Sequence, residues 1–139
     1  MKKVPFTTAK DLFEAVKANA MDADALVMAA AVADYRPVTV ASDKIKKKDG
    51  DLSIPVERTD DILGTIAARD EALGYETLLV TGDKDAYQLA SDKTRIVTTK
   101  KGITDVAIYG PAEVEERYGV RPDQFIDFLG LKGDSSDNI

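Results

Sequence analysis

Apolar and polar positions follow two rhythms along this chain, one with a period near 2 and one near 3.6, and together they predict strands and helices in turn. Lys3–Thr8 reads as a short strand. Ala9–Asn19 reads as a helix whose apolar stripe includes Leu12, Phe13 and Val16, with Thr8 as N-cap and Asp11 three residues on. Ala25–Val32 (ALVMAAAV) is apolar throughout, the pattern of a strand covered on both faces. Asp34–Gly50 breaks the rhythm and reads as a long polar loop, with Pro37 and the run from Lys44 to Lys48. Leu52, Ile54 and Val56 then alternate with polar residues, and Pro55 places that strand at an edge.

The second half repeats the alternation more strongly. Asp60–Leu73 is an amphipathic helix through Ile62, Leu63, Ile66 and Leu73, closed by Gly74 as a C′ glycine. Thr77–Thr81 is a buried strand, followed by Gly82-Asp83-Lys84-Asp85 and a short helix to Ala90. Arg95–Thr99 and Thr104–Tyr109 are strands joined by a Lys100-Lys101-Gly102 turn, and Pro111–Tyr118 and Pro122–Leu131 are helices with Pro at their first position. Such alternation predicts an α/β fold: a Rossmann-like three-layer sandwich with a mainly parallel sheet of about five to six strands and helices on both faces. The last two strands would add an antiparallel edge.

Composition narrows the chemistry. The 139 residues suit a single domain, 1–139, and they include neither His nor Cys. Thiolate nucleophiles, imidazole bases, Ser–His–Asp triads, structural zinc sites and disulfides are therefore excluded. The formal charge of −6 argues against strong non-specific binding of nucleic acid. No apolar run approaches the roughly 20 residues of a membrane span, and no signal-peptide core follows Met1-Lys2-Lys3, so a cytoplasmic protein is expected.

Sites on open parallel sheets form beyond the carboxyl ends of the strands. On that rule Asp34, Asp60, Asp61, Asp83 and Asp85 share one edge, and Asp134 and Asp137 lie in a terminal loop that could fold over it. Clustered carboxylates stay ionised together only with solvent or a cation between them, and hard oxygen ligands suit Mg²⁺ or Mn²⁺. Taken singly each acid also has a structural explanation: Asp60 and Asp61 as first-turn acids, Asp83 as an N-cap, Asp134 and Asp137 as turn residues. The lysines from Lys44 to Lys48 could hold phosphates as point charges, although a solvated loop explains them better. No GxxxxGK[ST] or GxGxxG loop is present.

Two family resemblances meet in the chain. AAAVADYRPVTVASDKIKK from Ala29, with Thr59-Asp60-Asp61-Ile62-Leu63, closely resembles the phosphopantothenoylcysteine synthetase domain of the bifunctional coenzyme A biosynthesis protein, from about Val4 to Leu63. The resemblance implies CTP binding through Ala30, Asp34 and Lys44, and a dimer contact at the AVADYR segment, hence a homodimer. The family's glycine-rich segment and its SNxSSGKMG-like motif are missing, so synthetase activity is expected to be lost.

From Asp60 to Ile139, DDILGTIAARDEALGYETLLVTGDKDAYQL and YGVRPDQFIDFLGLKGDSSDNI are similar to the 5′-nuclease domain of bacterial DNA polymerase I. This resemblance implies divalent-metal ligands at Asp60, Asp61, Asp83, Asp85, Asp134 and Asp137, matching the carboxylates grouped above. It departs where that family has EADD and this chain has Arg58-Thr59-Asp60-Asp61, and the family's first metal-binding strand and DNA-threading arch are absent. A synthetase-like half, 1–63, and a nuclease-like half, 60–139, thus overlap at Asp60–Leu63. The expectation is an engineered chimeric α/β protein without native catalysis and with no required cofactor. Residual Mg²⁺- or Mn²⁺-dependent nuclease activity, or weak binding of DNA or CTP, is the alternative.

Overall fold

The computed structural model describes residues 3–46, 52–101 and 105–133. The chain divides into two compact units, Met1–Leu63 and Gly64–Ile139.

In the first unit, helix α1 spans Ala9–Asn19 because its ends are satisfied locally. The Asp11 N–H donates to Thr8 Oγ1 (3.1 Å) while the Thr8 N–H donates back to Asp11 Oδ2 (3.0 Å), a reciprocal capping box. These bonds hold the Asp11 carboxyl below its usual range, the Thr8 backbone N–H contributing most. Leu12, Phe13 and Val16 are only half-buried. Strands β1 (Tyr35–Pro37) and β2 (Val56–Arg58) form an antiparallel ribbon with Tyr35 opposite Arg58, Arg36 opposite Glu57 and Pro37 opposite Val56. The Arg36 guanidinium binds the Glu57 carboxylate across the ribbon at 2.8 Å. Backbone bonds extend the pairing at both ends, from Thr59 N–H to the Asp34 carbonyl and from Val38 N–H to the Pro55 carbonyl.

The second unit begins within helix α2 (Ile62–Ala72). Gly74, at φ +89°, terminates it: the Tyr75 N–H reaches the Asp70 carbonyl and the Gly74 N–H reaches that of Glu71, the Schellman pattern. A three-stranded sheet follows in the order β3 (Thr77–Val80), β4 (Thr94–Lys101), β5 (Asp105–Tyr109). β3 and β4 are parallel, linked through a 3₁₀ turn at Lys84–Leu89, and β4 and β5 are antiparallel with an irregularity between Thr99 and Lys101. Helix α3 (Pro111–Tyr118) starts with Pro111 after Gly110, whose N–H donates to the Glu113 carboxylate at 2.8 Å. It ends at Gly119, in the left-handed region at φ +76°. A 3₁₀ turn at Pro122–Gln124 leads into α4 (Phe125–Lys132).

The core of this unit lies on one face of the sheet. Ile96, Val114 and Phe125 are wholly buried, with Ala86, Tyr87, Ala90 and Tyr109 around them. Tyr87 is central: its ring lies 5.1 Å from Tyr109, 5.3 Å from Tyr118 and 5.2 Å from Phe125, two of these edge-on. Burial, with the Tyr87 hydroxyl as a hydrogen-bond partner, pushes the Tyr118 phenol up to about 12. Its neutral form is thus favoured by folding. That contribution is whole below pH 10, the ordinary tyrosine value, and is lost as pH rises toward 12. Spectrophotometric titration of the five tyrosines should show a late phase near pH 12 that disappears in Tyr118→Phe.

The expected Rossmann-like sandwich is overturned. Among the described residues the sheets have two and three strands, and β3–β4 is the one parallel pair. Lys3–Thr8 and Ala25–Val32 are not strands. Pro5 lacks the N–H that a ladder needs. In Ala25–Val32 four of eight residues are alanine, with low strand propensity and little apolar area to bury, and Val27 is 90% exposed. Leu52 and Ile54 are exposed, and the strand starts only at Val56, beyond Pro55. β1 falls within the segment expected to be loop, since a three-residue strand has too little length for a period to register.

Candidate functional site

Each candidate acid sits where a strand or helix junction puts it. In the first unit, the ribbon brings Asp34 and Asp60 to the same end. Asp34 immediately precedes β1, and its carbonyl takes the Thr59 N–H at 2.8 Å, next to Asp60. The Thr59 hydroxyl also donates to the Ala33 carbonyl, which fixes the strand end. Asp60 and Asp61 are exposed just before α2, whose first residue, Ile62, is buried. Arg58, where the nuclease family has a glutamate, is held in β2 with its guanidinium 6.0 Å from the Tyr35 ring.

In the second unit Asp83 and Asp85 lie at the carboxyl end of β3. Asp83 caps the 3₁₀ turn, its Oδ1 accepting the Asp85 N–H at 3.1 Å, while its own N–H donates to Thr81 Oγ1 at 3.1 Å. Both carboxylates are exposed, and the turn is anchored from beneath by buried Ala86 and Tyr87. Asp83 therefore serves structure already, as its position at an N-cap allows.

Asp134 and Asp137 lie outside the described residues, as do Lys47 and Lys48. Among the described residues no group of three or more acidic side chains is placed to hold a metal ion. Ala30, Asp34 and Lys44 are all exposed, and Ala30 and Lys44 lie on segments without regular structure. No helix among the described residues is long and apolar enough to cross a membrane.

Arg117 belongs to none of the motifs in the sequence. Its guanidinium stacks 5.2 Å from the Tyr109 ring and 5.4 Å from that of Tyr118, at the margin of the aromatic core. Nothing in the spacing of these residues signals the contact, because Tyr109 belongs to β5 and Arg117 to α3. Glu113 is the other polar group tied into this corner. The Gly110 N–H, followed by its own backbone and by Arg95, holds its carboxyl below the usual range.

A match to the DNA/pantothenate metabolism flavoprotein C-terminal domain covers residues 1–108, and the chain belongs to that family. The match runs well past Leu63, where the first resemblance was expected to end. The chain is also 56% identical over 80 residues to a DNA polymerase I of Bacillus subtilis, covering 58% of this chain and 9% of that protein. A DNA polymerase I of Mycobacterium tuberculosis is 43% identical over 88 residues, covering 63% of this chain and 10% of its own length. A thermostable DNA polymerase I of Thermus filiformis is 41% identical over 88 residues, with the same coverage of each. The chain thus spans about a tenth of the length of these relatives.

Proposed function

We propose that the chain is a recombined α/β protein, joined from a synthetase-like segment and a DNA polymerase I-like nuclease segment, that performs the native chemistry of neither. The observation carrying this reading is where the chain divides. The chain divides between Leu63 and Gly64, beside the Asp60–Leu63 stretch shared by the two resemblances read from the sequence, while the family match itself continues to residue 108. Further support comes from one chain matching a pantothenate-metabolism family from residue 1 and resembling DNA polymerases I over more than half its length. The substitution at Arg58 adds to it, since a cation there replaces a metal-ligating glutamate beside Asp60 and Asp61. We place the protein in the cytoplasm, where a chain without cysteine forfeits nothing.

A second reading keeps residual Mg²⁺- or Mn²⁺-dependent phosphodiester cleavage at Asp60, Asp61, Asp83, Asp85, Asp134 and Asp137. The exposure of Asp83 and Asp85 on one ordered turn favours it. CTP binding through Ala30, Asp34 and Lys44 is the remaining, non-enzymatic reading.

Incubation with a flap or 5′-overhang DNA in Mn²⁺ separates them. No cleavage above that of Asp83→Ala/Asp85→Ala is expected. Cleavage that this double variant loses would establish the nuclease reading instead. A CTP titration should show no saturation, whereas saturable binding abolished by Lys44→Ala would establish the nucleotide site. With a net charge of −6, DNA binding in EDTA at physiological salt should be poor.

A further inference from the structure

We infer that the outer edge of β3 is a self-association site, where β3 of a second copy pairs antiparallel about a two-fold axis at Leu79. β3 is an edge strand, with β4 on one side and no strand on the other among the described residues. The Thr77 and Thr81 N–H groups donate to the Lys93 and Val97 carbonyls of the β4 side, which fixes the direction of every backbone group in the strand. Thr77, Leu79 and Thr81 bond inward, so the N–H and C=O of Leu78 and Val80 face outward from the edge.

Native sheets blunt such edges with charge, proline or a bulge. Thr77-Leu78-Leu79-Val80-Thr81 contains none of these, and Leu78 and Val80 are 63% and 73% exposed. The opposite edge differs: β5 begins with Asp105 and pairs with β4 across the irregularity between Thr99 and Lys101, so its start is both charged and bent.

A second copy fits the edge because the strand is chemically symmetric about Leu79. Antiparallel pairing at that centre sets Leu78 against the partner copy's Val80, and Thr77 against its Thr81. The Leu78–Val80 pairs each exchange two backbone hydrogen bonds, four in all. Aliphatic and threonine cross-strand pairs of this kind are favourable. The charges select this orientation. Glu76 then faces Gly82, and Asp83 faces Tyr75, so no acid opposes another; an in-register parallel pairing would put each acid beside its own copy. The resulting contact is isologous and closed, which predicts a dimer and no further growth by this edge.

Sedimentation velocity over micromolar to millimolar concentration tests the inference. A reversible dimer is expected. Val80→Pro removes an outward N–H while leaving the ladder to β4, so it should weaken dimerisation by about tenfold or more with the far-UV circular dichroism unchanged. Val80→Lys leaves the backbone intact and serves as the second variant should the proline chain unfold. Ile108→Lys, on the open face of β5, should leave the dimer as it is. A monomer at all concentrations would overturn the inference. So would a dimer undiminished by both Val80 variants, or one abolished by Ile108→Lys, which would move the contact from edge to face.

Discussion

Phe125→Ala should destabilise the second unit by about 3–5 kcal/mol, read from urea denaturation followed by near-UV circular dichroism. Phe125 opens α4 and is wholly buried. Its ring lies 5.2 Å from Tyr87, 5.0 Å from Tyr118 and 5.7 Å from Phe128, so truncation removes apolar area and three ring contacts at once. Rings that bracket a void from three sides cannot all move in to fill it, which puts the cost in the upper range for such changes. The chain contains no Trp, and Tyr87, Tyr109 and Tyr118 surround the site, so the near-UV signal reports this core directly. A loss below about 1 kcal/mol would mean that the aromatic cluster is not the centre of the unit.

Val114→Asp should cost about 4–5 kcal/mol or more near neutral pH. Val114 is wholly buried on α3 among the same residues. A carboxylate there would be unpaired and desolvated, which raises its folded pKa above the unfolded value of about 3.9. Protonation relieves part of the penalty, so the deficit relative to wild type should grow as pH rises through that folded pKa and shrink in acid. Val114→Thr, nearly isosteric and uncharged, should cost about 1–3 kcal/mol and show no such slope. Equal deficits for Val114→Asp in acid and at neutrality would show that the position admits water.

The elements of the second unit were legible because their signals are local. Thr77–Thr81, expected to be a buried strand, nevertheless leaves Leu78 and Val80 exposed, because only one face of the three-stranded sheet carries the core. Gly74 closes α2 and Pro111 opens α3, and each mark works through backbone groups within a few residues. The antiparallel pairing of the last two strands was likewise anticipated, since their connection is short. The first unit was less legible beyond α1. Ala25–Val32 is apolar throughout, yet its four alanines give low strand propensity and little area to bury. Becoming a strand would therefore depend on a neighbour to take its backbone groups, which no residue within the segment encodes. β1 was missed for the opposite reason, being made a strand by its partner β2 rather than by its own pattern.

The candidate site divides along the same line. Placing acids at strand ends located Asp83 and Asp85 correctly on the turn after β3. The shared edge for all the acids assumed one continuous parallel sheet, and the two separate sheets remove that premise. Asp34 and Asp60 do share an end, but through an antiparallel ribbon that the periodicity did not contain.

The short 3₁₀ connection between β3 and β4 also bears on how quickly the second unit assembles. Every β3–β4 pair closes 17 positions of chain, from Thr77–Thr94 to Val80–Val97, whereas the β4–β5 hairpin starts with Lys101 opposite Asp105, four positions apart. Loop-closure entropy favours the hairpin by about 1.3 kcal/mol. Parallel strands ordinarily wait on a distant crossover and fold slowly for that reason. Here the crossover is short enough that the parallel register follows the hairpin at modest further cost, so the sheet is expected to organise from the β4–β5 side and then add β3.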